Sequence, residues 1–178
     1  AAITKVGPKV SAKPEPTPHV AEISPPGDDF LPTALTEHVI VVGYGRVGAA
    51  VAEGLETRGL KFLVVEVDDA ARKRARLAGH EVLAGNAADA RVLEAAGVAS
   101  AIRLICTVPN GFEAGGVTEA ARRLNAGLEI TARAHSDAEV EHLLRHGCDT
   151  PISGERELAA AMLAQLRVPK AESPGVVG

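Results

Sequence analysis

His38-Val39-Ile40-Val41-Val42-Gly43-Tyr44-Gly45-Arg46-Val47-Gly48 is the stretch on which the reading of this chain turns. Its first five residues make a short, β-branched apolar run stopped by Gly43, the pattern of a strand buried on both faces of a parallel sheet. A helical pattern follows, with Val47, Ala50, Val51, Gly54 and Leu55 expected on one face and Gly59 as the stop. Between them the glycines fall as G-x-G-x-x-G, a weak signal by itself in a chain with 18 glycines. The context strengthens it: a strand before, a helix after, and a second apolar run, Phe62 to Val65, ending in Glu66. Gly43 permits the tight turn, Gly45 lets the backbone approach a phosphate, and Gly48 lets helix and strand pack closely. The helix start offers free N–H groups and partial positive charge to that phosphate, and Arg46 adds a charged donor at the mouth. Glu66, with Val67 beside it, stands near the offset expected for a ribose-binding carboxylate. A carboxylate there accepts from ribose hydroxyls and repels a 2′-phosphate, favouring NAD(H) or AMP over NADP(H). The competing reading is a tight βα turn that binds nothing.

The alternation of strand and helix continues along the chain. A charged helix is expected near 69–78, a strand at 81–83, and a helix capped by Asp89 that ends at Gly97. Ile102 to Thr107 reads as a fourth strand, and Asn110 to Glu113 has capping-box spacing ahead of an apolar face of Val117, Ala120, Ala121 and Leu124. A fifth strand covers 129–134, and Ser136 to Glu139 is a second capping box. A short strand covers 149–152, and Ser153 caps a last helix with Leu158, Met162 and Leu166 one turn apart. Six β-then-α units imply an α/β fold: a Rossmann-like, doubly wound, six-stranded parallel sheet with helices on both faces.

Of 11 prolines, seven precede residue 38. Residues 1–37 are expected to be a Pro-rich flexible linker, 38–168 the folded domain and 169–178 a tail. The chain has 178 residues, a formal net charge of -4 and a sequence pI of about 5.9. That balance excludes the basic footprint of a nucleic-acid binder. Cys106 and Cys148 lie among apolar neighbours, which suits a reducing compartment better than a disulfide framework. No apolar run reaches the ~18 residues of a membrane span, and no signal peptide is visible. The first residue is not Met, which fits a fragment.

Further motifs extend the glycine loop: Glu37-His38 before the first strand, Gly85-Asn86-Ala87-Ala88, and Thr107-Val108-Pro109-Asn110-Gly111-Phe112-Glu113-Ala114-Gly115. Ala132-Arg133-Ala134-His135 and Gly154-Glu155-Arg156-Glu157 complete the set. With these, about 36–168 resembles the TrkA-N or RCK N-terminal domain of potassium transport systems, and within it the cytoplasmic domain of Kef-type, YbaL-like cation:proton antiporters. The resemblance implies nucleotide sensing and no enzymatic turnover. It places phosphate at Gly43, Tyr44, Gly45, Arg46, Val47 and Gly48, ribose at Glu66, and adenine at Asn86 and Ala87. Thr107 and Val108 would lie near phosphate or ribose, and Arg133 matches an arginine that helps glutathione-gated relatives bind an anionic regulator. Many relatives carry Asp where this chain has Asn86. The implied partners are an adenine nucleotide, a transmembrane antiporter domain of the same polypeptide and a second copy in a homodimer. The implied setting is the cytoplasmic face of the bacterial inner membrane, with the fragment itself soluble.

Two other function classes fit the glycine loop: a small NAD-dependent oxidoreductase, and a gating-ring subunit of a potassium channel. The first needs a catalytic acid near the nicotinamide, and no triad, paired carboxylates or Tyr/Lys pair emerges. The second is expected to carry a ligand-binding lobe after the last helix. His142 and His146, one turn apart with Cys148 beyond, have a zinc-compatible spacing, but with Glu139 on the same face a solvated helix surface is expected and no metal site is assigned. The cluster Arg72, Lys73, Arg74 and Arg76 is expected to be a solvated face, with contact to an anionic membrane surface as the alternative.

Overall fold

The computed structural model describes residues 31–166, so most of the expected linker and the tail lie outside the described residues. Six parallel strands form one sheet in the order β3-β2-β1-β4-β5-β6. In chain order the elements are β1 (Val39–Val42), α1 (Arg46–Thr57), β2 (Phe62–Glu66), α2 (Asp69–Leu77), β3 (Val82–Ala84) and α3 (Ala90–Ala95). They continue with β4 (Arg103–Cys106), α4 (Gly111–Leu124), β5 (Glu129–Ala134), α5 (Asp137–Arg145), β6 (Thr150–Ser153) and α6 (Gly154–Ala164). This is the expected doubly wound sheet, and the strand order reverses between β1 and β4. Val42 pairs with Val65 on one side and Cys106 on the other. That register brings Gly43, Glu66 and Thr107 to one edge, outside the carboxyl ends of the strands, where this topology opens a crevice.

The sheet is apolar on both faces because β1, β2 and β4 are covered twice. One face packs Ile40, Leu63, Leu104 and Ile130 against Leu93, Val117 and Leu143 from α3, α4 and α5. The other packs Val39, Val41 and Val64 against Ala52 and Leu55 of α1 and Ala71 and Ala75 of α2. Each fully buried Val, Leu or Ile contributes roughly 1.5–3 kcal/mol.

Two expectations need correction, one at α1 and one in the linker. The buried face of α1 is Gly48, Ala52 and Leu55, while Val47 is 40% exposed and Ala50 is also at the surface. The helix approaches the sheet through Gly48, which turns Val47 and Ala50 outward while Val51 and Leu55 still pack on the core. α6 starts at the expected Ser153 cap and buries none of its residues: Leu158, Met162 and Leu163 are all more than half exposed, as is Leu166 just beyond its end. Finally, residues 31–37, assigned to the flexible linker, are fastened to the domain, with Thr33 N donating to Ala95 O at 2.8 Å and Glu37 N to Ser100 O at 3.0 Å. No helix among the described residues is long and apolar enough to cross a membrane.

Candidate functional site

At the strand-order reversal lies a cavity of about 280 Å³. Its floor is the ends of β1 and β2 with Gly43 and Glu66. One wall is Gly85, Asn86, Ala87 and Ala88 after β3, and the other is Val108, Glu113 and Val117 around the start of α4. Of the residues singled out from the sequence, Gly43, Glu66, Val67, Asn86, Ala87 and Val108 line it. Tyr44, Gly45, Arg46, Val47, Gly48, Thr107 and Arg133 do not.

The glycine loop divides its labour. Gly43 has φ +90, a conformation L side chains rarely adopt. A Cβ on Gly48 would overlap the carbonyl of Gly43, so Gly48 is glycine for internal reasons. Gly45 differs from both: its backbone is extended, and a Cβ there would meet nothing within 4 Å. Among the described residues nothing requires a glycine at that position.

Gly45 is also the N-cap of α1, and it supplies no capping side chain. Every other helix is capped by a polar residue: Asp68 for α2, Asp89 for α3, Asn110 for α4, Ser136 for α5 and Ser153 for α6. α1 has no acidic residue in its first turn either. Its leading N–H groups and the positive end of its dipole therefore face outward beside Arg46, which is exposed.

Glu66 is 9% exposed and already heavily engaged. Its Oε2 accepts from Tyr44 N at 2.6 Å, and its Oε1 accepts from Val67 N at 2.7 Å and Asp68 N at 2.9 Å. The carboxylate thus ties the glycine loop to the β2–α2 turn. Thr107 does the same from the other flank, its hydroxyl donating to Val42 O at 3.0 Å and Gly43 O at 3.1 Å. The Tyr44 ring turns into the core under α2 and meets His80 edge-on at 5.6 Å, so the residue offers only its backbone to the loop. Arg133, half-buried on β5 beside Ile152 of β6, lies away from the cavity.

Sequence reading missed Glu113 and Val117, which line the cavity from α4. The only charged lining residues are Glu66 and Glu113, both acidic. The cavity itself therefore suits a neutral, hydroxyl-bearing and apolar group, and the anion-attracting features stand at its rim. Burial pushes the Cys106 thiol up to about 12, so it stays protonated, and burial raises Cys148 as well. His142 is not solvated as expected: it packs on Gly115 of α4 and lies between Phe112 at 4.9 Å and His146 at 4.0 Å. Among the described residues no group of three His, Cys, Asp or Glu is placed to hold a metal.

The TrkA-N domain family matches residues 39–154. The chain belongs to that family. It is 38% identical over 141 residues to an Escherichia coli K12 protein described as the cation/proton antiporter YbaL, covering 79% of this chain and 25% of the relative. The crystal structure of the TrkA-N domain of that inner membrane protein superposes with a TM-score of 0.72 at 37% identity, over 76% of this chain and all of the other. A Shewanella denitrificans Kef C-terminal domain in its AMP-bound form matches with a TM-score of 0.59 at 26% identity, over 72% of this chain and 82% of that one. The chain spans about a quarter of the length of the curated antiporter relatives it matches.

Proposed function

We propose that this domain binds AMP or NAD(H) at the crevice between β1 and β4, and that occupancy regulates a monovalent cation:proton antiporter, the membrane part of which belongs to the same polypeptide. The observation that carries the reading is Gly45. It is a glycine that the fold does not need, at the one uncapped helix start among the described residues, beside a cavity with a buried carboxylate. Phosphate at that start supplies the missing acceptors, and the nucleoside fills the cavity toward Asn86 and Ala87. The AMP-bound Kef relative supports this ligand class. A nucleotide regulates only if it binds two states with different affinity. No turnover is required of such a domain, and the protonated cysteines offer no thiolate nucleophile.

The test is isothermal titration of the chain with AMP, NADH and NADPH. AMP and NADH are expected to bind in the micromolar range and NADPH more weakly. If none binds below about 1 mM, where ΔG is only ~-4 kcal/mol, the reading fails. The apolar, uncovered α6 supports a homodimer, since a helix apolar on most sides is normally buried. Sedimentation of the chain is expected to give twice the monomer mass. We place the domain at the cytoplasmic face of an inner membrane; that the related TrkA-N domain belongs to an inner membrane protein supports the membrane.

A further inference from the structure

His38 is fully buried although it stands before β1. Its Nε2 lies 2.9 Å from Ala96 O, a partner 58 positions away in sequence. A carbonyl only accepts, so Nε2 carries the hydrogen. Nδ1 is buried with no partner among the described residues, where only one ring nitrogen serves the fold. Around this bond the entering chain is fastened at several points. Thr33 N donates to Ala95 O, Glu37 N to Ser100 O, and Ile102 N to His38 O at 3.0 Å. Leu35 packs against the core. Gly97 has φ +67, and a Cβ there would press on the Thr33 methyl at 3.0 Å and the His38 ring at 3.2 Å. Residues 31–38 are thus bound to the carboxyl end of α3.

The opposite end of α3 begins at the cavity. Asn86, Ala87 and Ala88 line it, and Asp89 caps the helix immediately afterwards. α3 is six residues long, about 9 Å at 1.5 Å per residue, and buries Val92, Leu93 and Ala95. Val92 in turn packs where Gly85, at φ +151, leaves room.

We propose that His38 is the positioning residue of a latch, through which occupancy of the cavity fixes the course of residues 31–38. A ligand held against Asn86 and Ala87 orders the start of α3, and the His38–Ala96 bond at the other end passes that order to the segment by which the chain enters the domain. The latch rests on the nucleotide-binding reading given above. It is also reciprocal: whatever factor the ligand contributes to closing the latch, an opened latch removes from ligand affinity.

Hydrogen exchange read by mass spectrometry on the whole 178-residue chain, with and without saturating AMP, tests this. AMP is expected to slow exchange on the order of tenfold in 31–38 and 96–102 as well as in 43–48 and 85–92. His38→Gln keeps an N–H donor at a similar reach to Ala96 O, exchanging the ring for an amide, so it retains the effect. His38→Leu keeps AMP protection at 43–48, loses it at 31–38 and binds AMP more weakly; an unchanged AMP affinity would show that His38 only holds 31–38 in place and overturn the latch. Protection confined to 43–48 and 85–92 in the unaltered chain overturns the latch while leaving the nucleotide site intact, and that result needs no variant to fold. Loss of the effect in His38→Gln as well overturns the role given to the Nε2 donor. If calorimetry detects no AMP binding, the site and the latch fall together.

Discussion

α1 and α4 start one strand apart at the same edge of the sheet, and their first turns are built in opposite ways. Asn110 Oδ1 accepts from Phe112 N at 2.9 Å and Glu113 N at 3.4 Å, and Glu113 adds negative charge to the first turn. α4 therefore satisfies its own start. α1 opens on Gly45 with no side-chain acceptor and no acid, leaving its leading N–H groups to solvent or to a bound anion. Among the described residues five helices carry a side-chain cap; at α1 the chain supplies glycine instead. The contrast teaches where to look for a ligand. A helix start left open beside a cavity says more than the number of glycines in the loop.

Four substitutions break or sharpen that contrast. The largest effect is expected from Gly48→Val. Its side chain must displace the backbone of Gly43, so urea denaturation should show a loss of about 3 kcal/mol or more, with binding lost as a consequence. Gly45→Val comes next and separates folding from binding. A Cβ there meets nothing within 4 Å, so the stability cost is that of a β-branched N-cap, about 1 kcal/mol or a Tm loss of about 3–5 °C, while AMP affinity falls on the order of 100-fold, about 2.7 kcal/mol. Equal AMP affinity in this variant would remove α1 from the site. Glu66→Ala deletes the acceptor of three backbone N–H groups. Calorimetry should show AMP binding about tenfold weaker, and denaturation a loss of about 1–3 kcal/mol. The smallest effect is expected at α4: Asn110→Ala costs about 1 kcal/mol of stability and leaves AMP affinity within about threefold.

Much of this was legible in the chain because the signals are local. The runs at 38–42 and 62–65, the glycine spacing and the caps Asp89, Asn110, Ser136 and Ser153 each depend on residues a few positions apart. Glu66 was visible for the same reason, at the end of its strand. What stayed hidden depends on how elements cross. Glu113 looked like a cap residue and lines the cavity as well, because α4 passes over the end of β1. The inward face of α1 was read correctly at Val51 and Leu55 and wrongly at Val47 and Ala50, because contact through Gly48 turns Ala52 inward in their place. Thr107 carried no sign that its hydroxyl is directed at the carbonyls of Val42 and Gly43, since register with β1 decides that. His38 read as the first residue of a strand, and its bond to Ala96 joins parts of the chain that no local pattern connects.

The saturation of Glu66 limits what any ligand can ask of it. A carboxylate offers about four lone-pair positions. Val67 and Asp68 occupy both on Oε1, and Tyr44 takes one on Oε2. A single position is left, enough for one hydroxyl of a sugar and not for a vicinal pair gripped by both oxygens. The two monodeoxy forms of AMP should then behave unequally, one binding like the parent and the other losing the only bond the carboxylate has to give.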